Sequence, residues 1–355
     1  MLTTNSAISL SRVEASRLAA IDFNNLPFGA IFSDHMLSVE FKNGQWHDPA
    51  IVPYGPIPLA PSLSALHYGQ SFFEGFKAFR QVDGGIALFR IRDNFARFNQ
   101  SAKRLAVPEI PASHFIDGIA ELIRIDHQWV PRSKGASLYV RPLCFACDEA
   151  LFVRPSSTYQ LIVMTCPVGQ YFAEPLRLLA EEHYVRAFPG GTGATKSAGN
   201  YAGSLLAARV AQEKGFHSVI WLDGMTHRFV EECGLMNVFF VIDGVAITPP
   251  LGGTILAGVT RDSIIVLLRE MGIPVEERPV ALDEVLEAAK NKRLSEAFAA
   301  GTAATVAPIE SIRYREGDIR PPLQKESSLA GRVLARLDAI RSGQQPDKYG
   351  WLLKV

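Results

Sequence analysis

Lys196 lies in "AFPGGTGATKSAGNYAGS", Ala187 to Ser204, among glycine, threonine and serine residues and just before an apolar run of helical character. The stretch has the composition of a phosphate-cradling loop. The nucleotide pattern G-x-x-x-x-G-K-[ST], however, requires glycine immediately before the lysine, and Thr195 stands there. Outside that pattern, a lysine whose pKa is lowered by burial or neighbours is a nucleophile toward aldehydes.

One such aldehyde is pyridoxal phosphate, which needs a set of partners: a lysine, a cation and donors for its phosphate, an acid beside its ring nitrogen, and a polar group near its ring oxygen. Candidates for each are present. Tyr201 follows Lys196 by five residues. Glu231 and Glu232 stand in the strand-like run "HRFVEECGLMNVFFV", where carboxylates are costly unless engaged. "LAGVTRDSII" is a glycine-led helix start, an anion site by geometry and dipole. "AAGTAATVAP" is a small-residue turn whose amides can approach a phosphate or carboxylate.

Other chemistries lack their parts. The eight histidines include no pair three or four apart, so no helical metal-ligand pair exists, and no metal is expected. His67 in "LHYGQSFFEG" is the one histidine in a suggestive setting. No G-x-S-x-G elbow and no strand-borne G-x-G-x-x-G occurs. Cys144 and Cys147 form C-x-x-C, but on an extended strand positions i and i+3 face opposite ways; buried apolar cysteines are expected there.

The elements that hold these groups read as strands and helices in alternation. "FKNGQW", "FRQVDGGIALFR", "VIWLDGMTHRFV" and "FFVIDGVAIT" each place Asn-Gly or Asp-Gly between strand-like runs, a hairpin cue. "RIRDNFARFNQSAKRLAV" reads as a helix with Asp93 in its first turn, stopping before Pro108. "TRDSIIVLLREMG" reads as one from Thr260 to Gly272, and "LDEVLEAAKN" as one capped by Asp283. This mixture predicts an α+β chain rather than a doubly wound sheet. Pro167, Gly169 and Pro175 punctuate "TCPVGQYFAEPLRL", so two domains are expected, 1–167 and 178–355, around a linker at 168–177.

Thirty-six basic residues balance thirty-six acidic ones, which disfavours a nucleic-acid partner. No apolar run approaches the roughly 18 residues of a membrane span, and the N-terminus has no signal-peptide apolar core. With four cysteines in all, a reducing cytoplasm is the expected location.

Seven blocks carry a resemblance. "LHYGQSFFEGFKAF", "LFRIRDNFARFNQSAKRL", "LYVRPL", "TKSAGNYAGSLL", "EECGLMNVFF", "LAGVTRDSI" and "AGTAATVAPI" occur in the order seen in branched-chain amino-acid aminotransferases, which are fold-type IV pyridoxal-phosphate enzymes. "FGAIFSDHMLSVE" and "DKYGWLLKV" are similar too, so the likeness runs from about residue 27 to the end.

The resemblance implies a D-amino-acid-aminotransferase-like fold of two α/β-type domains with mixed, largely antiparallel sheets. It implies transamination of L-leucine, L-isoleucine and L-valine with 2-oxoglutarate, pyridoxal 5'-phosphate as cofactor, and a homodimer. Lys196 would carry the cofactor and Glu232 would face its pyridine nitrogen, Glu231 being a strand neighbour that faces elsewhere. Arg97, Val259, Thr260 and Thr302 would hold the phosphate, with Arg90 and Arg92 left as surface or structural residues. Tyr201 would stand near the ring oxygen.

Tyr139 and Arg141 would lie at the substrate end, the arginine accepting the second carboxylate of glutamate. The amides of Thr302 and Ala303 would bind the α-carboxylate, and Phe28, Tyr68 and Phe73 would wall the aliphatic side chain. Leu235 stands where several relatives have a smaller or polar residue, and the redox C-x-x-C of some animal relatives is missing beside "GTAATVAPI". A D-amino-acid aminotransferase or aminodeoxychorismate lyase would share the lysine and glutamate, but the Y-x-R strand and "GTAA" turn argue against both. A nucleotide-binding protein is disfavoured by Thr195.

Overall fold

The computed structural model describes residues 8–169, 174–322 and 327–355. Contacts group the chain into two compact units. One is the described part of Met1–Tyr171 with Thr195–Gly199 and Ala339–Val355; the other is the described part of Phe172–Ala194 with Asn200–Asp338. The units therefore do not follow a single cut at the expected linker 168–177, of which residues 170–173 lie outside the described residues. Backbone pairing is the reason. The last strand, Leu352–Lys354, pairs antiparallel with Ile86–Phe89, and the carbonyl of Lys196 accepts the amide of Phe73 at 3.1 Å.

The described part of the first unit builds a ten-stranded sheet. Its main path runs Ser9–Leu10, Ala50–Pro53, His35–Lys42, Tyr159–Val168, Ser137–Ala146, Phe76–Arg80, Ile86–Phe89, Leu352–Lys354. Gln45–Trp46 adds to His35–Lys42, and Ser71–Phe73 to Ser137–Ala146. The "KNGQ" turn forms because Asn43 and Gly44 take φ of 55° and 80°, a region these two residue types tolerate. "FSDHM" anchors the N-terminal segment: Asp34 accepts from Ser16 Oγ (2.5 Å) and Trp129 Nε1 (3.0 Å), and His35 Nε2 accepts the amide of Val13 (3.2 Å).

The helix Ile91–Arg104 buries Ile91, Phe98 and Ala102 on one face, where Phe98 meets Phe72 (4.7 Å between ring centres) and Phe115 (5.1 Å). Burying a side chain of that size contributes about 1.5–3 kcal/mol, and truncating Phe98 to alanine would cost about 3–5 kcal/mol through the cavity left behind. Arg97 and Ser101 lie on the same buried side of the helix.

The described part of the second unit builds a nine-stranded sheet on a separate core. Its path runs Val230–Cys233, Ser218–Leu222, Leu176–Glu181, Thr305–Tyr314, Leu294–Gly301, Asn237–Ile242, Val245–Thr248, Val275–Glu277, with Gly317–Ile319 on Thr305–Tyr314. Leu176–Glu181 is parallel to both its neighbours, whereas Asn237–Ile242 is antiparallel to both of its own.

The helix Val259–Glu270 matches the expected one to within two residues. Leu282–Lys290 forms as read, but Asp283 does not cap it: Ala281 is the cap residue, and Asp283 sits in the first turn bonded to Arg315 (3.2 Å). "LDGMTHRF" also differs from a two-residue hairpin. The Asp223 carboxylate takes the amides of Thr226 (2.7 Å), Arg228 (2.9 Å) and Phe229 (2.7 Å), so a longer loop closes around it before Leu222 pairs with Val230. Cys144 and Cys147 are free thiols; burial pushes the Cys144 thiol well up, as expected of an inert strand cysteine.

Candidate active site

In the first unit the candidate residues gather on the segment Phe73-Glu74-Gly75. Ser71–Phe73 ends on the long strand Ser137–Ala146, and the Glu74 amide then donates to Pro142 O (2.9 Å). Lys196 is fixed through its backbone at both groups: its carbonyl accepts from Phe73, and its amide donates to Ser101 Oγ (3.1 Å) on the helix. Its Nζ lies 5.2 Å from the centre of the Phe73 ring.

Arg141 Cζ lies 4.5 Å from the centre of that same ring, and Arg141 Nη2 donates to Tyr139 Oη at 2.7 Å. Tyr139 and Arg141 share a face of their strand because strand side chains alternate. Phe28 meets Tyr139 edge-on at 5.1 Å. Among the described residues Arg141 Nε is buried with no hydrogen-bond partner. Gly75 leaves room for the Tyr139 hydroxyl, which a methyl group at that position would displace.

Arg97 is held by a residue that the sequence reading did not single out. Glu74, fully buried, pairs with Arg97 Nε at 2.6 Å and with Nη2 at 2.7 Å, and also accepts the Gly75 amide at 2.7 Å. This two-point ion pair fixes the guanidinium plane. The available signal was a carboxylate inside the apolar run "SFFEGF". Tyr68 ends the short helix Ser64–Tyr68 and, like Phe28, is exposed (42% and 37%). His67 is also exposed and bonds Pro61 O (2.8 Å), a local loop contact. Arg90 is structural: it pairs with Asp93 (2.9 Å) and lies over Trp351.

In the second unit both glutamates of Val230–Cys233 are buried. Glu232 Oε1 accepts the Leu256 amide (2.7 Å), and Oε2 pairs with Arg186 Nε (3.0 Å). Glu231 has a different environment. Burial pushes its carboxyl up, a bond from Thr254 and the nearby Arg186 oppose this, and Asp223 adds to the rise.

Asn237 Nδ2 donates to Leu256 O (3.0 Å), so Leu256 is gripped from both sides just before the helix Val259–Glu270. The N-cap residue of that helix is Gly258, on which a methyl group would overlap Asn237 Oδ1. The result is a glycine-led, fixed helix start bearing Val259 and the buried Thr260, a geometry that suits a phosphate. Thr302 and Ala303 form the turn after Gly301, which pairs with Thr305, and Ala300 pairs with Asn237. The turn thus projects beyond the end of the sheet where Asn237 grips Leu256. Tyr201 is half-buried in the short helix Ala198–Ala202, and Leu235 is exposed.

The glycines before Lys196 have packing reasons of their own. Gly190 turns the chain at φ 81°, and side chains on Gly191 and Gly193 would press on Phe188 O and Ala187 respectively.

Within the second unit a helix start with Thr260 buried and a buried carboxylate held by two donors, and within the first an amine and an arginine on one aromatic ring, are each of the kinds of group that pyridoxal 5'-phosphate and an amino-acid substrate require. The comparisons agree. The family description Amino-transferase class IV matches residues 71–312. Branched-chain-amino-acid aminotransferase 2 of Bacillus subtilis is 41% identical over 338 residues, 94% of this chain and 93% of its own. The branched-chain-amino-acid aminotransferase of Mycolicibacterium smegmatis is 42% identical over 340 residues, 93% of this chain and 92% of its own. The branched-chain amino acid aminotransferase of Escherichia coli superposes with a TM-score of 0.73 at 30% identity, covering 88% of this chain and 98% of that one. The chain belongs to the class IV aminotransferases, among their branched-chain-amino-acid members.

Proposed function

We propose that the protein moves the amino group of L-leucine, L-isoleucine or L-valine to 2-oxoglutarate, yielding the branched-chain 2-oxo acids and L-glutamate. The observation that carries this reading is the Phe73 ring, with the Lys196 amine at 5.2 Å and the Arg141 guanidinium at 4.5 Å. A site that accepts an aliphatic side chain and a carboxylate in turn needs an apolar surface with a cation at its edge. Phe73 and Arg141 supply both.

Pyridoxal 5'-phosphate, when bound, supplies the electron sink that stabilises the carbanion at the substrate's α-carbon. Lys196 Nζ would hold the cofactor and, once displaced by the substrate's amino group, would be the base that takes the α-proton and passes it to the cofactor rather than back to the α-carbon. Its backbone anchors replace a bimolecular encounter by a tethered one. Glu232, oriented by Leu256 and Arg186, would be the carboxylate that holds a proton on the pyridine nitrogen. In the first unit Arg97, oriented by Glu74, would be a phosphate ligand; in the second, the amides at Val259 and Thr260 and Thr302 would serve the phosphate and Tyr201 the ring oxygen. The Thr302 and Ala303 amides bind the α-carboxylate. Phe28, Tyr68 and Phe73 exclude water from the side chain, and Arg141, braced by Tyr139, receives the second carboxylate.

The protein is a cytoplasmic homodimer in this reading. Four free cysteines support a reducing compartment. The run Leu151, Phe152 and Val153, exposed at 64, 52 and 83%, supports self-association, since consecutive exposed apolar residues mark contact surfaces. Among the described residues no helix is long and apolar enough to cross a membrane. The test is glutamate formation from 2-oxoglutarate with L-leucine, L-isoleucine, L-valine or D-alanine as donor. Turnover with the three L-donors supports the reading; turnover with D-alanine alone assigns the protein to the D-specific branch of the fold.

A further inference from the structure

Arg186 was not among the residues singled out from the sequence, yet its side chain is 5% exposed and reaches three separate segments of the second unit. Nε pairs with Glu232 Oε2 at 3.0 Å, Nη1 donates to Thr254 O at 2.7 Å, and Nη2 donates to Gly193 O at 3.1 Å. Thr254 begins the loop that Leu256 continues into the helix start at Val259. Gly193 belongs to the loop that leads to Lys196. A side chain on Gly193 would overlap the Thr254 carbonyl, so those two loops abut directly at the carbonyls Arg186 collects.

The same Gly193 loop is pinned once more by Asn200, whose Nδ2 donates to Thr192 O at 2.9 Å. A planar fork with fixed donors suits this task; the single ammonium of a lysine does not. Burying a guanidinium is tolerated because a carboxylate and two carbonyls accept its hydrogen bonds.

We propose that Arg186 is the positioning residue of this site: it clamps the loop before Lys196 and the loop before the phosphate-binding helix to the carboxylate of Glu232. It touches neither substrate nor reacting atoms and acts through those three partners. The proposal rests on the reading of Glu232 and of the Val259 helix start given above, but its test does not.

The test is hydrogen exchange on the full-length protein freed of cofactor, for the wild type and for Arg186→Lys. The lysine keeps a positive charge beside Glu232, so the fold is retained, but it cannot serve both carbonyls. The expected result is exchange about tenfold faster in 187–194 and in 253–257, with the strand Asn237–Ile242 unchanged. In the same variant the cofactor dissociation constant rises about tenfold or more. Wild-type protection of both loops in Arg186→Lys overturns the proposal, as does equal loss of protection in Asn237–Ile242. If instead Glu232→Gln retains full turnover while the loops loosen as predicted, the clamp stands and the assignment of Glu232 fails.

Discussion

Arg141 is braced against Tyr139, Nη2 to Oη at 2.7 Å, while its guanidinium lies over Phe73. The bracing fixes a cation against an aromatic ring, and among the described residues its Nε has no hydrogen-bond partner, which suits the proposed role in carboxylate recognition. Replacing Arg141 by methionine should therefore separate the two half-reactions. The kcat/KM for 2-oxoglutarate should fall about 10- to 100-fold, as expected for losing one hydrogen bond to a charged group. The value for L-leucine should fall less than about threefold. Equal losses in separate half-reaction measurements would remove Arg141 from carboxylate recognition.

Gly75→Ala pushes a methyl group into the Tyr139 hydroxyl. Tyr139 must move, and the brace on Arg141 moves with it. We expect a loss of about 1–3 kcal/mol in urea unfolding, the usual range for overpacking. The KM for 2-oxoglutarate should rise more than that for L-leucine. A variant with unchanged selectivity would show that the brace is dispensable.

Glu74→Gln leaves the Arg97 guanidinium buried without its carboxylate. Breaking such a pair costs about 3–5 kcal/mol. The double variant Glu74→Gln, Arg97→Met should regain part of that stability, because no unpaired charge remains, while cofactor binding stays weak. Denaturant midpoints and cofactor titrations separate the two effects. Full cofactor affinity in the double variant would exclude Arg97 as the phosphate ligand.

Asp223 closes the loop that delivers Val230–Cys233 to the sheet. Burial raises its pKa, but hydrogen bonds from Phe229, Arg228 and Thr226 outweigh it and hold the carboxyl at about 2. Its folded value lies below the ordinary one near 3.9. Its contribution is thus complete above about pH 4 and is lost as the pH falls toward 2. Asp223→Asn should lower the urea midpoint at pH 7, and the gap to the wild type should narrow by pH 3. A gap that stays constant would mean that the carboxylate's charge is not what closes the loop.

Much of this architecture is legible in the sequence where the cause is local. Asn43-Gly44 and Asp243-Gly244 turn tightly because the backbone at those positions takes positive φ. The helices follow from spacing and from Pro108 and Gly272. Asp223-Gly224 misleads because a side chain, rather than the dipeptide, organises the turn. The candidate lysine and glutamate are legible as residue types in unusual surroundings.

Their supports are not. Glu74 with Arg97, and Arg186 with Glu232, are pairs between residues far apart in the chain that only the folded sheet brings together. The return of Leu352–Lys354 to the first sheet is hidden for the same reason, since an edge strand of three residues carries no signal of its partner.

The most direct test of the account is to reduce the purified protein with borohydride, digest it and locate the residue covalently tied to pyridoxal phosphate. A single modified site at Lys196, absent in Lys196→Ala together with the visible absorbance and the transamination, is the predicted result. A modified lysine elsewhere, or turnover by Lys196→Ala, would contradict it.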